Sequence, residues 1–214
     1  MGFCFPWGAI CEGPVNSDRT DAKHGGAALG AAALLRAEVE RLKRELDEAR
    51  GKIAELELRA DVDPLLDILN RRGFERELKR SLAYVKRYDT PAALLYIDLD
   101  GFKAVNDAHG HAAGDALLKA VAGELTANVR ASDVVARLGG DEFGVLMWNA
   151  GEPQAVMRAR DLEVRIEALR LAHGPVQLGV GASAGVMLLR GDLDAPALID
   201  AADKAMYARK RERR

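Results

Sequence analysis

The sequence predicts a mixed α/β (α+β) domain preceded by a helical stalk, and three observations carry this. From about residue 61 to residue 214, apolar strand-like runs alternate with amphipathic stretches of helical length. In the middle of that region two apolar runs, Val134 to Leu138 and Phe143 to Trp148, are joined by Gly139-Gly140-Asp141-Glu142. A Gly-Gly link between such runs is a hairpin signal, because glycine accepts positive φ at little cost. Ahead of the domain, residues 28–60 carry a heptad seam.

Composition narrows the class. The formal net charge of −2 leaves no strongly basic face, which disfavours binding to nucleic acid polymers. The longest apolar runs fall far short of a bilayer span, and the N-terminus lacks a basic start followed by an apolar run, so no membrane insertion and a cytoplasmic location are expected. Residues 1–27 read as a poorly ordered leader, with Cys4 and Cys11 as free thiols and Pro6 where myristoylation would need Ser or Thr.

In the stalk, Leu35, Val39, Leu42, Leu46, Ala49, Ile53 and Leu56 alternate in steps of four and three. β-Branched residues dominate one core position and leucine the other, which favours a parallel homodimer through residues 32–60. In that register Glu38 would meet Lys43, Glu45 would meet Arg50 and Lys52 would meet Glu57 across the dimer. Each exposed pair is worth about 0.3–0.5 kcal/mol, enough to select register. Asp63-Pro64 turns the chain out of helix, and Asn70 is the expected N-cap of a helix over 71–87.

The strand from Ala92 ends in Asp98 and Asp100, whose period-two spacing projects both to one face. Carboxylates at a strand end beside Asp141 and Glu142 are what a divalent-metal phosphoryl-transfer site needs. Next, the amides around Gly101 and Phe102 can cradle phosphate, Lys103 can meet one, and Asn106 and Asp115 offer the amide and carboxylate that a guanine edge requires. His109 and His111 read as packing or capping residues. A helix over 112–129 leads to Arg130 and Asp133, a fork and an acid able to grip phosphate and guanine together. The remaining elements are a helix over 153–171, a strand-rich stretch over 176–189 and a last helix over 195–211.

These motifs resemble the GGDEF diguanylate cyclases, bacterial enzymes that condense two GTP into cyclic di-GMP. The family pattern Asp-x-Asp-x-Phe-Lys-x-x-Asn-Asp-x-x-Gly-His-x-x-Gly-Asp is matched at every fixed position from Asp98 to Asp115. The resemblance spans 61–214 and implies a palm-like nucleotidyl-cyclase fold, a central, mostly antiparallel sheet flanked by helices. It further implies a catalytic set of Gly139, Gly140, Asp141 and Glu142, and two Mg2+ per active site, with Mn2+ as the alternative, at Asp98, Leu99, Asp141 and Glu142. GTP contacts would come from Phe102, Lys103, Asn106, Asp115, Lys210 and Arg214, and inhibitory cyclic di-GMP contacts from Arg130 and Asp133. Departures are Leu66 and Asp67, where the family commonly has Thr and Gly, and Arg209 and Arg213, where it usually has Ala and Gly. The rival reading is a catalytically silent module that binds cyclic di-GMP.

Overall fold

β2 (Ala92–Asp100) is the strand around which the domain is built, hydrogen-bonded on both sides and buried along nearly all its length. The computed structural model describes residues 34–36, 38–52, 60–190 and 192–212. The leader, Ile53, Leu56, Glu57 and Arg214 lie outside the described residues. Contacts divide the chain into residues 1–55 and 56–214, and each unit is described by itself.

In the first unit, residues 34–36 and 38–52 are helical, the latter forming α1. Of the predicted seam, the described residues Leu35, Val39, Leu42 and Leu46 are 71%, 44%, 50% and 50% exposed. Glu38 and Glu45 both pair with Arg41 along the same helix, and Glu40 pairs with Lys43.

The second unit continues as β1 (Leu69–Asn70), α2 (Arg71–Tyr88), β2, α3 (Phe102–His109), α4 (His111–Ala127), β3 (Val134–Arg137), β4 (Glu142–Trp148), α5 (Glu152–Ala168), β5 (Leu171–His173), β6 (Val176–Leu178), β7 (Gly181–Leu188) and α6 (Ala195–Glu212). Five strands form one sheet in the order β1-β3-β4-β2-β7, and β5-β6 form a separate ribbon. β1 and β3 run parallel, whereas every other neighbour pair is antiparallel.

Helices cover both faces. Ala93, Leu95, Ile97 and Leu99 of β2 join a core with Leu117, Val121 and Leu162 of α4 and α5. Ala92, Leu94 and Tyr96 point the other way, against Phe74 and Leu78 of α2 and Leu198 and Met206 of α6. The structure adds one element and shifts one boundary. Phe102–His109 forms a helix of its own, started by Gly101 at φ 85. Leu171 leaves the predicted helix, because α5 stops at Ala168 and the chain becomes a strand paired to β6.

The entry to the domain is wired as the Asn70 cap predicts. Asn70 Oδ1 accepts the Gly73 N–H at 3.0 Å, while its Nδ2 donates to the Ala60 and Val62 carbonyls. Asp63 Oδ1 accepts the N–H groups of Leu65 and Leu66, folding the turn back on itself. Asp67 stands at φ 56 in this turn. The left-handed region there explains the family's usual glycine, and aspartate is among the few other residues that tolerate it. Asp67→Val should therefore cost about 1–2 kcal/mol, lowering Tm by about 3–6 °C, while Asp67→Gly leaves Tm unchanged or raises it. Equal melting of Asp67→Val and wild type would remove this explanation.

Candidate active site

Alternation along β2 places the first half of the site. Since the even-numbered residues Ala92, Leu94 and Tyr96 face α2 and α6, Asp98 and Asp100 emerge on that same side, beyond the apolar core. There Lys210, in the last turns of α6, hydrogen-bonds Asp98 Oδ1 and lies 3.1 Å from Asp100 Oδ1. Ser183, fully buried on β7 and in register with Asp98, donates its hydroxyl to Asp100 Oδ2 at 2.7 Å. α6 approaches closely because Gly185 lies beneath it: a Cβ there would overlap the backbone of Ala202 and Met206.

The β3–β4 connection supplies the second half. Neither Gly139 nor Gly140 has positive φ, which corrects the conformational reason given for the Gly-Gly pair. A Cβ at Gly139 would meet the Glu142 carboxylate folded over it, so a side chain there would have to displace that carboxylate. Among the described residues, a Cβ at Gly140 would meet nothing within 4 Å. The loop is held by Arg137, which donates to the carbonyls of Gly139 and Gly140 and pairs with Asp63 at 3.2 Å. Arg71 Nε donates to the Leu138 carbonyl at 2.8 Å, tying α2 to the same loop.

Asp141 is fastened by its backbone, its carbonyl accepting the Leu99 N–H at 3.1 Å. Leu99 thus contributes its amide to the loop while its side chain is buried in the core. Burial pushes the Asp141 carboxyl above the usual aspartate range, and the charge of Asp98 adds to the rise. Glu142 faces Asp98 across β2 and β4. Tyr96 lies beside Glu142, and burial, with the Glu142 charge adding to it, raises the tyrosine pKa well above the free value. The sequence reading missed Tyr96 and Ser183: the even register of β2 that carries Asp98 and Asp100 could have pointed to Tyr96, whereas Ser183 reaches Asp100 only through the pairing of β7 with β2.

The predicted nucleotide contacts fall on the α3–α4 hairpin that follows β2. Phe102 is buried, whereas Lys103 and Asp115 are exposed. Asn106 Oδ1 is buried without a hydrogen-bond partner, against Gly114 and next to Asp115 in the chain. His109 and His111 are exposed at the end of α3 and the start of α4. Arg130 and Asp133 lie elsewhere. Asp133 accepts the Trp148 N–H at 3.0 Å, at the far end of β4 from Glu142. β4 has 7 residues, which separates the two sites by about 20 Å. Arg130 and Asp133 line a cavity of about 330 Å³ with Asn149, Gln154, Arg158 and Asp161.

The oxygen-only donor set of Asp98, Asp141 and Glu142 fits a hard divalent ion. As they stand, no three His, Cys, Asp or Glu side chains among the described residues are gathered closely enough to hold one. Lys210 is the cation now closest to Asp98.

Because Asp141 has a raised folded-state pKa, its ionised form opposes folding. The penalty is absent below the unfolded pKa of about 3.9 and complete once pH exceeds the folded value. Solvent screening keeps it under about 1 kcal/mol. Asp141→Asn should thus raise the Tm of the ion-free protein at pH 7 by up to about 3 °C, with the gain vanishing near pH 4. A lower Tm at pH 7 would contradict the crowding of charge inferred here.

The domain profile "Diguanylate cyclase, GGDEF domain" matches residues 60–214. Among curated relatives, the chain is 42% identical over 173 residues to probable diguanylate cyclase DgcE of Escherichia coli K12, covering 78% of this chain and 15% of that protein. It is 38% identical over 154 residues to diguanylate cyclase DosC of the same organism, covering 72% and 34%. The chain therefore spans between about a seventh and a third of these relatives' lengths. Among solved structures, a sensory box/GGDEF family protein from Caulobacter crescentus superposes with a TM-score of 0.65 at 38% identity, over 71% of this chain and 99% of that one. The coiled coil and GGDEF domain of DgcB from the same organism shares the fold, with a TM-score of 0.71 at 24% identity over 83% and 95%. With its signature loop set against the acids of β2, and its profile match running from residue 60 to residue 214, the chain belongs to the GGDEF-domain diguanylate cyclase family.

Proposed function

We propose that the protein is a diguanylate cyclase that condenses two GTP into cyclic di-GMP and two pyrophosphates as a homodimer. The observation that carries this reading is the convergence at one sheet end of Asp98, Asp141 and Glu142 with Lys210, beside a Gly140 whose Cβ position is open among the described residues. A catalytically silent receptor would have no need of that carboxylate set.

Asp115 accepts the N1–H and exocyclic amine of guanine, and adenine would offer it an acceptor at N1. Asn106 completes the base contacts, its buried and unpaired Oδ1 being available to a further donor. Lys103, Lys210 and the free amides at the start of α3 meet the triphosphate. Gly140 lets the backbone approach phosphate without a side chain between them. Asp98, Asp141 and Glu142 hold Mg2+, with Leu99 keeping Asp141 in place through its amide. When bound, the metal neutralises phosphate charge and lowers the pKa of the attacking hydroxyl.

Each domain holds one GTP. The ribose 3′-hydroxyl of one attacks the α-phosphorus of the other, pyrophosphate leaves with its bonding electron pair, and the reciprocal attack closes the ring. Two domains must face each other, so association raises their effective concentration. The exposed seam of Leu35, Val39, Leu42 and Leu46 supports a second copy as its partner. A lone helix of this length is marginal in water, whereas each leucine or valine fully buried contributes about 1.5–3 kcal/mol.

Product returns to the distal cavity, where Arg130 is exposed. Asp133 already accepts the N–H groups of Arg130 and Trp148. Each of its oxygens keeps a second lone pair for a guanine donor.

Purified protein incubated with GTP and Mg2+, with nucleotides resolved by chromatography, tests the reading. Wild type should form cyclic di-GMP and stall as product accumulates. Glu142→Gln should be slower by about 100-fold or more. Leu46→Asp should lose rate per chain on dilution before wild type does, and Arg130→Ala should run past the wild-type stall. Absence of product from concentrated wild type freed of bound nucleotide would favour the silent receptor.

A further inference from the structure

Lys210 sits in the carboxylate end of the site rather than facing outward toward a substrate. Its ammonium bridges Asp98 and Asp100, with the lysine side chain 20% and that of Asp98 17% exposed. Ser183 holds the other oxygen of Asp100, so this carboxylate is fixed and the lysine is the movable member. Lys210 stands in the last turns of α6, at the end of a flexible four-carbon stem carrying three rotatable donors. The carboxylate it occupies is the one assigned above to the divalent ion. Two cations on one carboxylate oxygen repel at short range, so the lysine must leave when the ion arrives. A triphosphate beside it is the anion that can receive it.

We propose that Lys210 is a resident counter-cation of the carboxylate end, exchanged for the divalent ion when a nucleoside triphosphate binds, so that ion and nucleotide enter cooperatively. This rests on the metal reading of Asp98 given above. Without nucleotide, the lysine keeps like charges from repelling and holds free divalent ions off Asp98. With nucleotide, its ammonium moves to phosphate and opens the carboxylate. The coupling is reciprocal: the triphosphate tightens ion binding by the same factor as the ion tightens triphosphate binding.

Mn2+ binding followed by the electron paramagnetic resonance of the free ion tests this, with and without a non-hydrolysable GTP analogue. Wild type should bind Mn2+ weakly alone. Lys210→Met should bind it about tenfold more tightly without nucleotide, because the competing charge is gone, and should show a smaller gain on adding the analogue. Lys210→Arg, which keeps the charge, should stay within about threefold of wild type. Lys210→Gln replaces the methionine variant if thermal melting shows that one unfolded. Equal or weaker nucleotide-free binding by the neutral variant overturns the exchange while leaving the metal site standing. No Mn2+ binding by any variant even with the analogue overturns the metal reading itself, and the exchange with it.

Discussion

Carboxylates brought together at one end of a buried sheet repel, and much of this domain is organised around holding them there. Asp98 lies opposite Glu142 across two paired strands, and Asp141 reaches the same end from the loop. Water is partly excluded, so the repulsion is stronger than it would be on an open surface. Lys210 supplies opposite charge, and Ser183 supplies a hydrogen bond to Asp100. Burial still lifts the Asp141 carboxyl above its ordinary range. Such strain is tolerated where a bound cation and a polyanion relieve it.

The supporting geometry follows from period-two alternation in β2. Its odd residues complete one core and its even residues begin the other, so the final two even positions are delivered to α6 and the loop without irregular backbone. Close approach of α6 over Gly185 sets the height at which Lys210 reaches Asp98. On the other side, Arg137 ties Asp63 of the entry turn to the loop carbonyls, and Arg71 adds a second tie. A displacement of the entry turn is therefore felt at Gly139 and Gly140 through Arg137.

Where local pattern and covalent spacing decide an outcome, it was legible in the sequence. The Asn70 cap, the paired projection of Asp98 and Asp100, and the alternation of helices and strands all follow from one residue's chemistry or from short periods. Contacts that depend on register between distant segments were not legible. Ser183 with Asp100 and Lys210 with Asp98 join positions 83 and 112 residues apart. The conformation of Gly139 was misread for a related reason: its φ is not positive, and what lies over it is the carboxylate of Glu142, three residues on. The helix α3 was hidden by its motif: residues that announce phosphate and base contacts masked a helical turn opened by Gly101.

The most direct test of the central claim is diffraction at the manganese absorption edge from crystals of the protein grown with Mn2+ and a non-hydrolysable GTP analogue. The account predicts an anomalous peak within coordination distance of Asp98 and of Asp141 or Glu142, with Lys210 against phosphate. A bound analogue with its metal elsewhere, and Lys210 still bridging Asp98 and Asp100, would contradict it.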